Sequence, residues 1–198
     1  MMTTCAKTAV ICSLAVLAGC ANFGRVNQGQ VVDYNSGSGL VTLISDSNYH
    51  DPAHPRFDVL PPVTIRVPED RGEMGPEPEP GKLLHLDWRN HRAAIFDAAR
   101  GSIRTISYVV ISEQDGVTRA DPRVSKVAYP IVDRDRKTVT SYFPRYRKLL
   151  VFSVPSECFD LPDDTWKMGD EVRYYYKDPH SALRLMNVSK TDLSKAGK

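Results

Sequence analysis

The sequence predicts an all-β fold laid out as two consecutive strand-rich halves. Three observations predict it. Runs of Val, Ile, Leu, Thr and Tyr are cut at short intervals by clusters of Gly, Pro, Asp and Asn. No long stretch repeats its apolar residues at the helical period of about 3.6. Blocks of the first half recur in the same order in the second.

The elements follow in order. Gln30 to Tyr34 and Leu40 to Ile44 flank Asn35-Ser36-Gly37-Ser38-Gly39, whose small and glycine residues suit a hairpin connection. Ser45 to Pro62 reads as an extra loop. Val63 to Val67, Leu84 to Trp88 and Ile103 to Tyr108 alternate between apolar and polar positions, the period of a half-buried strand. Glu77-Pro78-Glu79-Pro80 reads as a stiff extended connector, with docking of a partner as its other use. Ala93 to Arg100 fits either a short helix or a strand. Tyr174-Tyr175-Tyr176 places aromatic rings on both faces of a late strand. Val63 to Pro68, Gly81 to Leu86 and Ala93 to Phe96 align with Leu150 to Pro155, Gly169 to Tyr174 and Ala182 to Met186. This is either a duplication or the likeness of any two β-rich halves. The units expected are 31–113 and 124–190, with a linker over 114–123 and a tail over 191–198.

Gly29-Gln30-Val31 and Gly169-Asp170-Glu171-Val172 resemble the strand openings of small OB-type or SH3-like barrels, the cold-shock pattern included. The resemblance implies two tandem small barrels. The aromatics that stack bases in cold-shock proteins are missing, since Gly39 is followed by Leu40-Val41-Thr42-Leu43. Nucleic acid is therefore not the expected partner.

The N-terminus carries Lys7, an apolar run from Thr8 to Leu17, and then Leu17-Ala18-Gly19-Cys20. This resembles the signal peptide and lipobox of bacterial lipoproteins. The resemblance implies cleavage between Gly19 and Cys20, removal of residues 1–19, and acylation of Cys20 by a diacylglyceryl group and fatty acids of the palmitate kind. Two or more chains anchor firmly, because each buried CH₂ contributes about 0.8 kcal/mol. Ala21 stands where an aspartate would signal inner-membrane retention, so the resemblance implies the periplasmic face of the outer membrane. Residues 20–30 read as a lipidated tether, reaching roughly 35 Å if fully extended.

The net charge of +2 excludes polyelectrolyte behaviour, and 41% hydrophobic content is that of a globular chain. Of the four cysteines, Cys5 and Cys12 leave with the leader and Cys20 is acylated. Cys158 then has no partner for an intramolecular disulfide, and a buried structural role is expected for it.

The chemistry-bearing residues are few. His50-Asp51-Pro52-Ala53-His54, near Asp46 and Asp58, is the metal candidate, because imidazoles and carboxylates suit zinc. Its prolines prevent a helix that would put both histidines on one face, so a plain polar loop competes with that reading. His85, Asp87 and Arg89 alternate opposite Leu84, Leu86 and Trp88, as the solvent side of a strand does. No G-x-S-x-G elbow or phosphate-cradling glycine loop is present, and no cofactor is expected. Arg134, Arg136, Lys137, Arg145, Arg147 and Lys148 interleave with Tyr142, Phe143 and Tyr146, either as ordinary strand faces or as a site for an anionic glycan or lipid headgroup. The function expected is a non-enzymatic, membrane-anchored binding or assembly module that joins the bilayer through Cys20 and an envelope protein through its folded part. A glycan- or lipid-binding module and an envelope hydrolase using His50, His54 or Cys158 are the alternatives.

Overall fold

Twelve strands and four short 3₁₀ turns make up the computed structural model over the residues it describes, 23–191. The strands are β1 (Arg25–Asn35), β2 (Leu40–Asp46), β3 (Phe57–Arg66), β4 (Leu83–Asp87), β5 (Arg92–Asp97) and β6 (Ser102–Ser107). There follow β7 (Val109–Gln114), β8 (Ile131–Asp133), β9 (Thr138–Phe143), β10 (Lys148–Ser153), β11 (Glu171–Tyr176) and β12 (Ala182–Asn187). The mainly-β expectation holds, and the segment that read as helix or strand is β5. The leader, the lipobox and Cys20 lie outside the described residues, as does nearly all of the expected tail.

The strands form three antiparallel sheets, ordered β12-β11-β1-β2-β3, β7-β10-β9-β8 and β4-β5-β6. In the first, β1 pairs with β2 on one side and β11 on the other, so the two ends of the chain share one sheet. Gly29 stands opposite Val172 and Gln30 opposite Glu171. The two glycine-led openings that suggested equivalent strands of separate barrels are thus neighbours. The expected succession of two tandem units is replaced by an outer sheet from both chain ends and an inner body from the middle. The physical reason is that β1 is buried on both faces from Gln28 to Val32 and needs a partner on each side.

Local signals explain the turns. Gly39 closes the β1–β2 hairpin at φ +66, and the Asn35 carboxamide oxygen accepts from the Ser38 N–H at 3.0 Å. The extra loop is shorter than expected, because Phe57 to Pro62 already belongs to β3. The tether expected over 20–30 is also cut short, since Arg25 to Gln30 are the first residues of β1. Residues 114–123 are not a free linker. Gln114 ends β7, and Val117 packs with Val124 and Leu149 while its N–H donates to the Arg147 carbonyl at 2.8 Å.

At the ends of the first sheet, Arg66 bridges Ser181 in parallel, and its N–H reaches the His180 carbonyl at 2.8 Å. The sheet therefore curls until its edges touch, but one bridge is not a ladder and no closed barrel forms. Inside the curl lie Val31, Val41, Leu43, Ile65, Val172 and Leu185. The other two sheets face each other over a second core around Ile95, Phe143, Leu150, Phe152 and the fully buried Trp166. Tyr108 alone separates β6 from β7, so one strand run passes from one sheet to the other. A third cluster of Val32, Ile44, Leu84 and Phe96 welds the two bodies, each side chain contributing about 2 kcal/mol.

The backbones cross most tightly at Val31. Its N–H donates to the Asp170 carbonyl at 2.9 Å and its carbonyl accepts from the Gly81 N–H at 3.1 Å. A Cβ on Gly169 would overlap that carbonyl oxygen, and one on Gly81 would run into the Lys167–Gly169 backbone. These glycines are required by close approach.

Candidate functional site

A cleft of about 780 Å³ lies between the curled sheet and the inner body. Its wall combines Tyr129, Tyr142 and Tyr146 with eight charged residues, Arg145, Glu171 and Arg173 among them.

Arg145, Glu171 and Arg173 belong to one network. Gln28, Asp46 and Glu171 are buried. The Gln28 Nε2 donates to Glu171 Oε1 at 2.5 Å and to Asp46 Oδ2 at 3.3 Å. Its Oε1 accepts from Arg173 Nε at 2.9 Å and Nη2 at 2.6 Å. Register explains the meeting, since Gln28 is opposite Arg173 and Gln30 opposite Glu171, so all four point to one face. Arg145 arrives from the turn Pro144–Tyr146, where Pro144 starts the turn and Arg147 leaves it at φ +50. Its Nη1 donates to Glu171 Oε2 at 3.1 Å and its Nη2 to the Pro52 carbonyl at 2.6 Å. Asp46 Oδ1 accepts from the Asn48 and Arg56 N–H groups at 2.8 and 2.7 Å, closing the histidine loop whose Pro52 meets Arg145. Burial pushes the Glu171 carboxyl up, and the Asp46 charge adds to this while Arg145 opposes it.

The structure brings Arg145 and the histidine loop together and disperses the rest of the basic segment. Arg134 pairs with Asp163 at 2.7 Å and Arg136 with Asp133 at 3.8 Å. Lys137 donates to Ser156 Oγ at 2.8 Å, and Arg147 to the Gly116 carbonyl at 3.4 Å. Lys148 pairs with Glu113 and Asp115, and stands 5.0 Å from the Trp88 ring centre. These cations are partnered within the fold instead of forming one free field.

His54 Nδ1 is 2.9 Å from Asp51 Oδ2, and the His50 ring lies against Tyr49 with centroids 3.9 Å apart. Among the described residues no three His, Cys, Asp or Glu side chains are placed to hold a metal ion. His85 is exposed at the cleft rim, while Asp87 accepts from the Arg89 and Asn90 N–H groups to hold the β4–β5 turn. Cys158 is buried, which pushes its thiol up and away from the reactive thiolate. The connector Glu77–Pro80 is tied down, with Glu79 pairing with Lys167 and Lys190, each at 2.7 Å. These two cations hold the Glu79 carboxyl at about 2.

Sequence reasoning missed Gln28 and Glu171. The one available signal was polar side chains recurring at every second position of an apolar strand, as at Gln28 and Gln30.

A family model for a domain of unknown function, DUF4881, matches residues 22–196. The chain belongs to the DUF4881 family. The DUF4881 match runs as one unit across both halves and begins two residues after Cys20. No curated protein and no solved structure matches the chain.

Proposed function

We propose that this chain is a lipid-anchored envelope protein that assembles with a partner protein by adding the partner's strand to the edge of β7. One observation carries this reading. The two larger sheets have four edge strands, and three of them are protected against pairing. β3 carries Pro61 and Pro62, which have no N–H to offer. β12 is covered by Met74 and Gly75, whose N–H donates to the Leu185 carbonyl at 2.8 Å. β8 is only three residues long. β7 has no proline, six residues and, among the described residues, no covering segment, and its one irregularity is a bulge at Ile111. Val109 and Ile111 are 67% and 55% exposed, and among the described residues no strand pairs along its outer side. An apolar open edge is a template for strand addition.

The Cys20 anchor would hold this edge at the periplasmic face of the outer membrane. Strand order supports an OB-type unit built from β1, β2, β3, β11 and β12, with β4 to β10 inserted after its third strand. The matched blocks Gly81 to Leu86 and Gly169 to Tyr174 support a duplication in which the hairpin of the second half, β11–β12, pairs with β1 of the first. A second reading is favoured by the cleft, whose tyrosines beside Arg145 suit the faces of an anionic glycan. The test is affinity capture after in-cell crosslinking with wild type and Ile111→Lys. The reading expects one protein partner with wild type and its loss with the variant at unchanged melting temperature. Equal capture by both would refute the edge, and capture of glycan alone would favour the cleft.

A further inference from the structure

The face of the outer sheet that carries the charged network is covered at one end only. Val26, Tyr175 and Arg184 stand side by side across β1, β11 and β12, followed by Gln28, Arg173 and Met186 in the next row. At the Gln28 end, Arg145 and Pro52 close over the face. At the Val26 end it is open, and forms a shallow depression of about 650 Å³ lined by Val26, Tyr175, Leu183 and Met186 together with Arg173 and the paired Glu73 and Arg184. Val26 is 61% and Leu183 47% exposed, and Phe23 beside them is 85% exposed. The chain reaches this place from the anchor, because the Gly24 N–H donates to the Tyr175 hydroxyl at 3.1 Å.

The geometry points to this open half of the sheet face as the surface that rests on the bilayer. The inference builds on the acylated Cys20 of the proposed function. Three residue steps separate Cys20 from Phe23, a span of about 11 Å at full extension. Phe23 and Gly24 are therefore held within the headgroup region, and the face beside them meets the membrane first. Its chemistry suits that place. Val26, Leu183, Met186 and Phe23 offer apolar side chains to the acyl boundary, and Tyr175 has the half-polar ring favoured at membrane interfaces. Arg25 and Lys177 are exposed at the same end, where anionic headgroups attract them. Lying on this face gives the protein one orientation at the membrane.

The test uses lipidated full-length protein in vesicles of phosphatidylethanolamine and phosphatidylglycerol with brominated acyl chains. A fluorescent label is placed by Leu183→Cys, or by Asp135→Cys in the β8–β9 turn, in a Cys158→Ala background. Quenching by bromine at position 183 at least threefold that at 135 is the expected result. Equal weak quenching at both, with the protein still on the vesicles, would overturn the inference while leaving the anchor intact. A label at 183 shielded from bromine and from aqueous iodide alike would overturn it in favour of a protein covering the face. Absence of the acyl mass on Cys20 would remove the anchor itself, and the inference with it.

Discussion

Glu171 is a buried carboxylate whose partners come from three directions. Among the described residues Arg145 is the one cation that donates to it directly, and its side chain is 44% exposed. Breaking a buried pair costs about 3–5 kcal/mol, and solvent access at Arg145 reduces this to about 2 kcal/mol for Arg145→Ala. Adding Glu171→Gln removes the stranded charge and should recover about half of that loss in urea denaturation. Because the Glu171 carboxyl is raised, its contribution is complete below the ordinary carboxylate range and is lost as pH rises through its folded value. Glu171→Gln should therefore flatten stability against pH above about pH 4.3. Glu79 has the opposite sign. Held at about 2, it stabilises above its ordinary 4.5 and loses that effect as pH falls toward 2. Its side chain is about half exposed, so screening leaves about 1 kcal/mol. Glu79→Gln should lower the urea midpoint at pH 7 and leave it unchanged near pH 2. None of these partners was legible in the sequence. Arg145 and Glu171 lie 26 positions apart, and a run of arginines looks the same whether its partners are in solvent or within the fold.

Strands and turns were largely legible, because alternation and glycine placement are local. Pairing was not, because β1 meets β11 across most of the chain and nothing local marks that contact. The blocks that looked repeated did locate two real hairpins, β4–β5 and β11–β12. What the pattern could not reveal is that β11–β12 is delivered to strands of the other half. Gly169 sits at this crossing, and Gly169→Ala forces the backbone away from Val31. Overpacking of this kind costs about 1–3 kcal/mol, and a thermal melt should show the loss. Exchange of elements also predicts that fragments 23–113 and 114–191 stay unfolded apart and gain strand circular dichroism when mixed. Independent folding of either fragment would contradict the shared outer sheet.

At the scale of the molecule, the cluster around Ile44 and Phe96 joins the outer sheet to the inner body. Under the proposed acylation of Cys20, the short span from Cys20 to Phe23 would fix the β7 edge relative to the membrane. The edge was not legible in the sequence, because exposure of Val109 and Ile111 depends on which strands pair beside them. Most apolar residues at strand positions are buried, and only topology distinguishes these two. The most direct test places a photocrosslinking amino acid at Ile111, or at Thr64 on the proline-protected β3, in living cells. One protein adduct is expected at 111, none at 64, and loss of the adduct with Cys20→Ser. Equal adducts at both positions, or none at 111 while Cys20 is acylated, would contradict it.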